Sequence, residues 1–564
     1  MTAVRRLITI FTLSLAATSL FAQETTPAPR ATTEQVSAET DRDANDPRAL
    51  RLTLDGALNT ALQQNLGVQL QTYDFRITDQ NLRARYGIFD FFTDANIRHS
   101  YSDNPTTNPF QPSGSRSTSV GAGLTQLLPT GGDYSVRWDS SRSTVAGGGT
   151  FVNPQYGNGL DLSFNQPLMR DFGIDITRRG ITVARNNLGI SEEAFRTAVM
   201  DTVSATEQAY LDLIYARRAV DVVKESLFLA RDQARITQIR IDVGASAPLD
   251  ILQPRVTIAT TEEQLIVAAA NVRSAEDRLR ALLNLPMTEW DRPILPDDNV
   301  AFNPITIDFQ QAVQQALTNR PEIAQRRLFT DNARVQALYT RNQVLPAVDF
   351  ALNYGLAGLA GRSALLNDEG EVIGSRSTPY FDTFSQIGGL DFPTWNVGFN
   401  FALPILNIGA RADARAAALA LEQSTMTQAQ TEQNIAVEVR TAARAVDQFA
   451  QTIVATRAAR DAAERNVEAE RKRYENGMTT NFQVLEVQQQ LSDARVSELR
   501  AIVGYNKAVA AFHRAVGDIL DVHKISFTAP EKVEEPTLGR WLDRYNWLNY
   551  GSRVQPEEKA DDSK

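Results

Sequence analysis

The 564-residue sequence predicts an α+β membrane protein, a β-barrel continued into long coiled-coil helices and built from two tandem structural repeats. Three observations predict it. A helical hairpin closed by a glycine turn occurs twice, at Arg473–Leu491 and at Arg240–Gln253, with Arg, Gly, Ser/Thr and Leu in register. Several segments alternate apolar and polar residues, as strands do when each face meets a different solvent. The amino terminus reads as an export signal, yet no later apolar run is long enough for a membrane helix, so any membrane position must be taken by strands.

Residues 1–22 carry Arg5 and Arg6, an apolar run from Leu7 to Phe21, and then Ala22 and Gln23, the layout of a secretory signal. Residues 23–50, rich in Thr, Ala, Pro and acids, read as a disordered leader. There is no cysteine, which excludes disulfides, thiolate metal sites and a lipid on an amino-terminal cysteine. The net charge of −10 argues against a nucleic-acid partner.

The first repeat spans 51–284. Leu52-Thr-Leu-Asp-Gly-Ala57-Leu58 opens an amphipathic helix expected to reach about Arg85, capped by Thr53 or Asp55. Strands follow around Ala95–Tyr101 and Leu160–Asn165. Between them Val120 to Asp139 form a hairpin on a Pro-Thr-Gly-Gly turn, which is expected to add two barrel strands. A long helix over about 177–242 has apolar residues alternating three and four apart at Val199, Val203, Thr206, Tyr210 and Leu213. After the glycine turn a return helix covers about 249–283, with Pro254 in its first turn, where a missing N–H costs little.

Residues 285–304 contain four prolines and read as an irregular linker. The second repeat, 305–517, opens with Ile307 to Leu317, spaced like Ala57, Leu58, Ala61 and Leu62. It has two strands, at Val348–Tyr354 and Val397–Phe401, separated by a Gly/Ser-rich stretch, 357–391, that reads as a long external loop. A second long helix, about 410–475, and its return helix, about 482–516, complete it. At ~1.5 Å per residue each long helix would reach roughly 100 Å, too long for a globule. Residues 518–564 form a tail with aromatic residues at Trp541, Tyr545, Trp547 and Tyr550.

On these strands Leu160, Leu162, Phe164, Phe350, Leu352, Tyr354, Val397, Phe399 and Phe401 make the apolar side and are expected to face outer-membrane lipid. Alternation alone would also suit a soluble sandwich, but an exported chain with aromatic-rich strands about ten residues long favours the barrel. A few strands per chain cannot close a barrel alone, so oligomerisation is required. No catalytic site is apparent. His99, His513 and His523 are too scattered to hold a metal, and neither a metal nor any other cofactor is expected.

These pieces in this order resemble the TolC-like outer-membrane efflux and secretion channels. The resemblance rests on the duplicated Leu-Thr-Leu-x-x-Ala-Leu-x-x-Ala-Leu opening, the strand exits Asn165-Gln-Pro167-Leu168 and Ala402-Leu-Pro404-Ile405, and the two Arg-x-x-x-Gly-x-Ser/Thr turns followed by Leu252 and Leu485. It implies a homotrimer sharing one outer-membrane barrel and one periplasmic helical tunnel closed at its tip. A periplasmic adaptor and an inner-membrane transporter would be its partners. Family members have four strands per chain, a number that the extra hairpin puts in question. The family's gate residues follow the second glycine turn and map to Gln483 and Glu486, so one of that acidic pair is neutral; the first turn offers Asp250 and Gln253. A threefold axis would make rings of Asp250 and Glu486, although both also suit first-turn acids favoured by the helix dipole. The turns Val243-Gly244-Ala245-Ser246 and Asn476-Gly477-Met478-Thr479 are where the adaptor would dock. Arg240 and Arg473 are read as complements to the helix dipoles. The competing readings are a periplasmic adaptor and a structural coiled-coil envelope protein.

Overall fold

The computed structural model describes residues 46–103, 105, 107, 112–147, 152–366 and 372–531. The expected signal, most of the leader and the aromatic part of the tail lie outside the described residues. No helix among those described is long and apolar enough to cross a membrane.

Structure begins at strand β1 (Leu50–Leu52), whose first residue is the last of the stretch expected to be disordered. Helix α1 (Leu54–Gln64) starts where Thr53 Oγ1 accepts the Gly56 N–H at 3.2 Å. The single helix expected to reach Arg85 is two. Asn65 leaves helical geometry with ψ 126°, and its Oδ1 accepts the N–H groups of Gly67 and Val68, which starts helix α2 (Leu66–Tyr86). An Asn side chain that can cap outcompetes helix continuation.

Four strands follow: β2 (Phe92–Asp103), β3 (Gly114–Leu127), β4 (Asp133–Ala146) and β5 (Val152–Pro167). Helix α3 (Arg179–Asp242) then runs 64 residues, and α4 (Leu252–Leu283) returns along it. The linker is less irregular than expected, because β6 (Ile294–Pro296) pairs in parallel with β1. Helices α5 (Phe309–Asn319) and α6 (Pro321–Gln343) repeat the break seen between α1 and α2, here at Pro321 in the first position of α6.

Strand β7 (Ala347–Leu366) is twenty residues long, and β8 (Val372–Thr378) and helix α7 (Asp382–Gly389) occupy what was expected to be loop. The alternation there is hidden by glycines and alanines. β9 (Pro393–Ala402) leads into helix α8 (Ile408–Glu475), then α9 (Asn481–Val516) and a last turn, α10 (Ile519–Val522).

The sheet is antiparallel in the order β2-β3-β4-β5-β7, with β8 and β9 sharing the far edge of β7. The extra hairpin is therefore part of the sheet. β9 covers β7 from Ala347 to Leu356, and β8 covers it from Gly361 onward.

Each long hairpin has its own core. Tyr210, Leu213, Val220 and Leu227 pack with Leu265, Val272, Leu279 and Leu283. Ile435, Val439, Val446 and Ile453 pack with Ala501, Tyr505, Ala508 and Phe512. A third cluster, Leu58, Val68, Phe195, Val199, Met200 and Val203, takes Ile519 and Leu520 of α10, so the end of the described chain is fastened to α3. The two hairpins lie side by side through α3 and α9, where Lys507 Nζ meets Asp212 at 2.7 Å and Arg495 meets Glu225 at 2.7 Å.

Candidate conduction path and helical tip

The sheet has two chemically distinct faces, because residues paired across antiparallel strands project to the same side. One row reads Val136, Leu162, Tyr354 and Trp395, and the next Tyr134, Phe164, Leu352 and Val397. Phe350 and Phe399 pair directly, with ring centroids 5.5 Å apart. All nine residues expected to form the apolar side share this face.

The other face is polar and built around Arg137. Its guanidinium meets Asp139 at 2.8 Å, Asp94 at 3.1 Å and Asn96 at 2.9 Å. Arg137 and Asp139 lie on β4, whereas Asp94 and Asn96 lie on β2, two strands away. Gly121 and Gly123 of β3 lie between them. A Cβ at Gly121 would come within 2.5 Å of Asp139 and 2.6 Å of Asn96, and one at Gly123 within 2.5 Å of Asp94. Only hydrogen at both positions lets the arginine cross β3. Asp161, Ser163, Asn353 and Asn400 extend the polar surface.

At the opposite end of the molecule, the two turns have the same geometry. Gly244 and Gly477 both adopt φ +75°. Ala245 N–H reaches Arg240 O at 2.7 Å and Gly244 N–H reaches Ile241 O; Met478 N–H reaches Arg473 O at 2.9 Å and Gly477 N–H reaches Tyr474 O. This crossed pair of bonds satisfies carbonyls that a helix end leaves open, and it needs positive φ at the residue after the cap. Arg240 does more than complement its own helix. It donates to Tyr474 O at 2.7 Å and lies 4.5 Å above the Tyr474 ring, joining the end of α3 to the end of α8. Arg473 pairs with Glu470 at 3.2 Å.

The helix after the second turn is capped by Thr480, whose Oγ1 accepts from Gln483 N–H. Asn481 accepts from the buried Gln233 at 2.6 Å, a contact between hairpins that local sequence could not show. Asp250, Gln483 and Glu486 are all exposed, as is Gln253. The Asp250 carboxylate accepts the Ala247 N–H at 3.1 Å and so closes the first-turn cap. Glu486 lies one turn beyond Gln483 on α9. The tip also exposes apolar side chains: Val243 and Met478 are each 71% exposed, and Leu249, Leu252 and Phe482 are exposed beside them.

Between sheet and tip, a charged collar holds the helices. Tyr210 OH lies 2.9 Å from Leu52 O and 2.7 Å from Asp298, and burial followed by the Asp298 carboxylate raises its pKa. Glu322 is pushed up by burial, but the guanidinium of Arg320 at 2.8 Å and that of Arg514 at 3.1 Å outweigh this and hold it at about 2. His523 pairs with Glu207 at 3.1 Å, and that hydrogen bond raises its pKa against the opposing effect of burial. Among the described residues no group of His, Asp and Glu could hold a metal ion.

The chain was compared with known proteins. The profile of the outer membrane efflux protein family matches residues 133–285 and 312–518. Nodulation protein T of Rhizobium leguminosarum bv. trifolii is 23% identical over 350 residues, 62% of this chain and 69% of that protein. The pyoverdine export outer membrane protein OpmQ of Pseudomonas putida is 24% identical over 372 residues, 63% of this chain and 70% of its own. The crystal structure of the Campylobacter jejuni CmeC outer membrane channel superposes with a TM-score of 0.58 at 17% identity, covering 94% of this chain and 97% of that one, which shows a shared fold. With the profile matching more than half of its length, the chain belongs to the outer membrane efflux protein family.

Proposed function

We propose that this outer-membrane efflux protein is the exit duct of a tripartite efflux or type I secretion assembly, with its strands in the outer membrane and its helices in the periplasm. One observation carries the reading: a sheet with one apolar and one polar face continues, in the same chain, into two helices of 64 and 68 residues. At ~1.5 Å per residue these extend about 100 Å, enough to conduct from one membrane towards the other. Channels of this family form trimers and work with adaptor proteins and inner-membrane pumps.

Three copies would supply the closure that one chain lacks. The unpaired edge of β2 in one copy would meet the edge of β9 in the next, leaving no open ladder in lipid. With six long strands each, such a barrel would have eighteen, a size that leaves an aqueous channel. Leu160, Leu162, Phe164, Phe350, Leu352, Tyr354, Val397, Phe399 and Phe401 would then meet lipid, and the Arg137 cluster would line water. The recurring order of paired helices, strands, long helix, glycine turn and return helix supports two tandem repeats.

The exposed apolar residues around Gly244 and Gly477 suit an adaptor's helical hairpin at Val243–Ser246 and Asn476–Thr479. Exposed carboxylates near a threefold axis would favour cations. Because Asp250 is already occupied as a cap, Glu486 should contribute more. Reconstitution in planar bilayers tests the reading. We expect single-channel conductance, with Glu486→Gln lowering cation preference more than Asp250→Asn. A protein without conductance would support the adaptor or structural coiled-coil reading, and unchanged selectivity in both variants would remove the carboxylate rings.

A further inference from the structure

Helix α7 is an addition to the sheet whose position has a chemical meaning. It lies on the apolar face, in the half of the sheet farther from the long helices, below the part of β7 that pairs with β8. Thr383 bonds Asn158, Phe384 stacks on Trp138 with centroids 6.3 Å apart, and Tyr380 packs edge-on against Tyr156 at 5.7 Å. A Cβ at Gly358 would come within 2.3 Å of the Thr383 carbonyl oxygen, so glycine is what lets the helix settle on the strand. Gln386 fills the gap on β7 between β8 and β9: its side chain accepts the Leu359 N–H at 2.9 Å and donates to the Leu359 carbonyl at 3.1 Å. The helix is thus built into the wall. Apolar side chains stand exposed at both of its ends, Phe381 at 75% and Leu390 more than half exposed.

The charges of the sheet are segregated around it. By register, Asp94, Asp139, Asp161 and Asp349 lie on the polar face with Arg137. The apolar face instead carries Arg116 and Arg142, both at the far end of the sheet. Arg116 lies 5.3 Å above the Tyr101 ring and Arg142 6.0 Å from the Tyr156 ring, and no carboxylate among the described residues bridges either. Asp103, in the outermost row of that face, takes the Tyr101 hydroxyl. The height fits as well. From the Phe350 row to the row of Arg142, Tyr156 and Ala360 is ten residues along β7, roughly 33 Å of strand and about 25 Å across a membrane at the usual barrel tilt. This is the height of the apolar band of an outer-membrane barrel, so the arginines stand where lipid phosphates lie.

We propose that α7 with Arg116 and Arg142 forms a lipid-binding shelf for the outer leaflet. Phe381 and Leu390 enter the acyl boundary, and the two guanidinium groups hold phosphates of the headgroups above. The inference rests on the reading that the apolar face meets lipid, and the continuity of the shelf with that face identifies the occupant as lipid.

The absence of cysteine from the chain makes the test direct. Single-cysteine variants Phe381→Cys, Leu390→Cys and Val397→Cys of the full protein, reconstituted in phosphatidylcholine nanodiscs, carry a nitroxide whose collisions with oxygen and with a nickel chelate report depth. All three labels should be shielded from nickel. A label at 397 in lipid together with nickel-accessible labels at 381 and 390 overturns the shelf and leaves the sheet reading standing. Nickel access at 397 overturns both. A second measurement addresses the arginines: native mass spectrometry of retained lipid A against phosphatidylcholine. The double variant Arg116→Gln/Arg142→Gln should lose preference for lipid A by about fivefold per arginine. Equal preference in variant and parent overturns the phosphate role.

Discussion

Replacing Gly504 of α9 by alanine should reverse its sign according to what stands opposite. An alanine Cβ at this position would lie 2.5, 2.9 and 3.0 Å from three ring atoms of Phe449 on α8. Such distances force the ring aside or the helices apart, and overpacking of this kind costs about 1–3 kcal/mol. Against this, glycine in a helix interior is about 1 kcal/mol less favourable than alanine. The balance for Gly504→Ala is a loss of roughly 0–2 kcal/mol. In a Phe449→Ala background the obstructing atoms are gone and only the helix term remains, so the same substitution should stabilise by about 1 kcal/mol. The assay is the midpoint of thermal loss of helical ellipticity in the detergent-solubilised protein, compared across the four members of the cycle, because coupling between touching residues appears as non-additivity. If Gly504→Ala raises the midpoint in the natural background, or shifts it equally in both, the close approach of α8 and α9 at this point is wrong.

Two further outcomes follow from the charged collar. The Glu322 carboxyl lies at about 2 against an ordinary 4.5, so its contribution is present above the ordinary value and lost as pH falls towards the folded one. The full difference would be worth roughly 3 kcal/mol, and about 2 for a side chain a quarter exposed. Hydrogen exchange at the start of α6, corrected for intrinsic rate, should accelerate between about pH 4.5 and 2. Glu322→Gln should be faster at neutral pH and lack that dependence, and an unchanged profile in the variant refutes the assignment. The raised pKa of His523 works in the opposite direction: its pairing with Glu207 is present below 6.5 and lost as pH rises through the higher folded value. Amides of α10 should therefore lose protection on alkalinisation in the natural protein and show no such loss in His523→Gln, and a pH-independent α10 in the natural protein excludes the coupling.

The parts of the fold that the sequence disclosed were those where one periodicity runs uninterrupted. Val199, Val203, Tyr210, Leu213 and their counterparts from Ile435 to Ile453 repeat three and four apart over many turns, and the structure buries them as the cores of two hairpins. Interruptions were read less well. Asn65 and Pro321 end helices that the apolar pattern carries onward, because a cap or a missing N–H acts on a single peptide and leaves the periodicity intact. The strand β7 beyond Leu356 was hidden for a different reason. Ala357, Gly358, Ala360 and Gly361 are small on both faces, so alternation disappears where α7 must sit close to the backbone. A composition that suggests a loop was instead the imprint of a neighbour.

The working surfaces divide along the same line. The two glycine turns were legible because Gly at φ +75° is a local requirement, and the same two crossed hydrogen bonds form in both. The Arg137 cluster was not, although its residues stood in view. Arg137 reaches Asp94 only because Gly121 and Gly123 leave the intervening strand without side chains, a relation between three strands that no single segment contains. Two glycines alternating within an otherwise regular strand therefore mark a place where something crosses it. Here what crosses is a cation held between carboxylates on the polar face, and in a barrel closed by three copies three such cations would stand around the path of whatever passes. Each copy sets two carboxylates, Asp94 and Asp139, against that one guanidinium, so the charge at this level of the barrel would be fixed but net acidic, and discrimination by charge would be shared between the barrel and the exposed carboxylates of the tip.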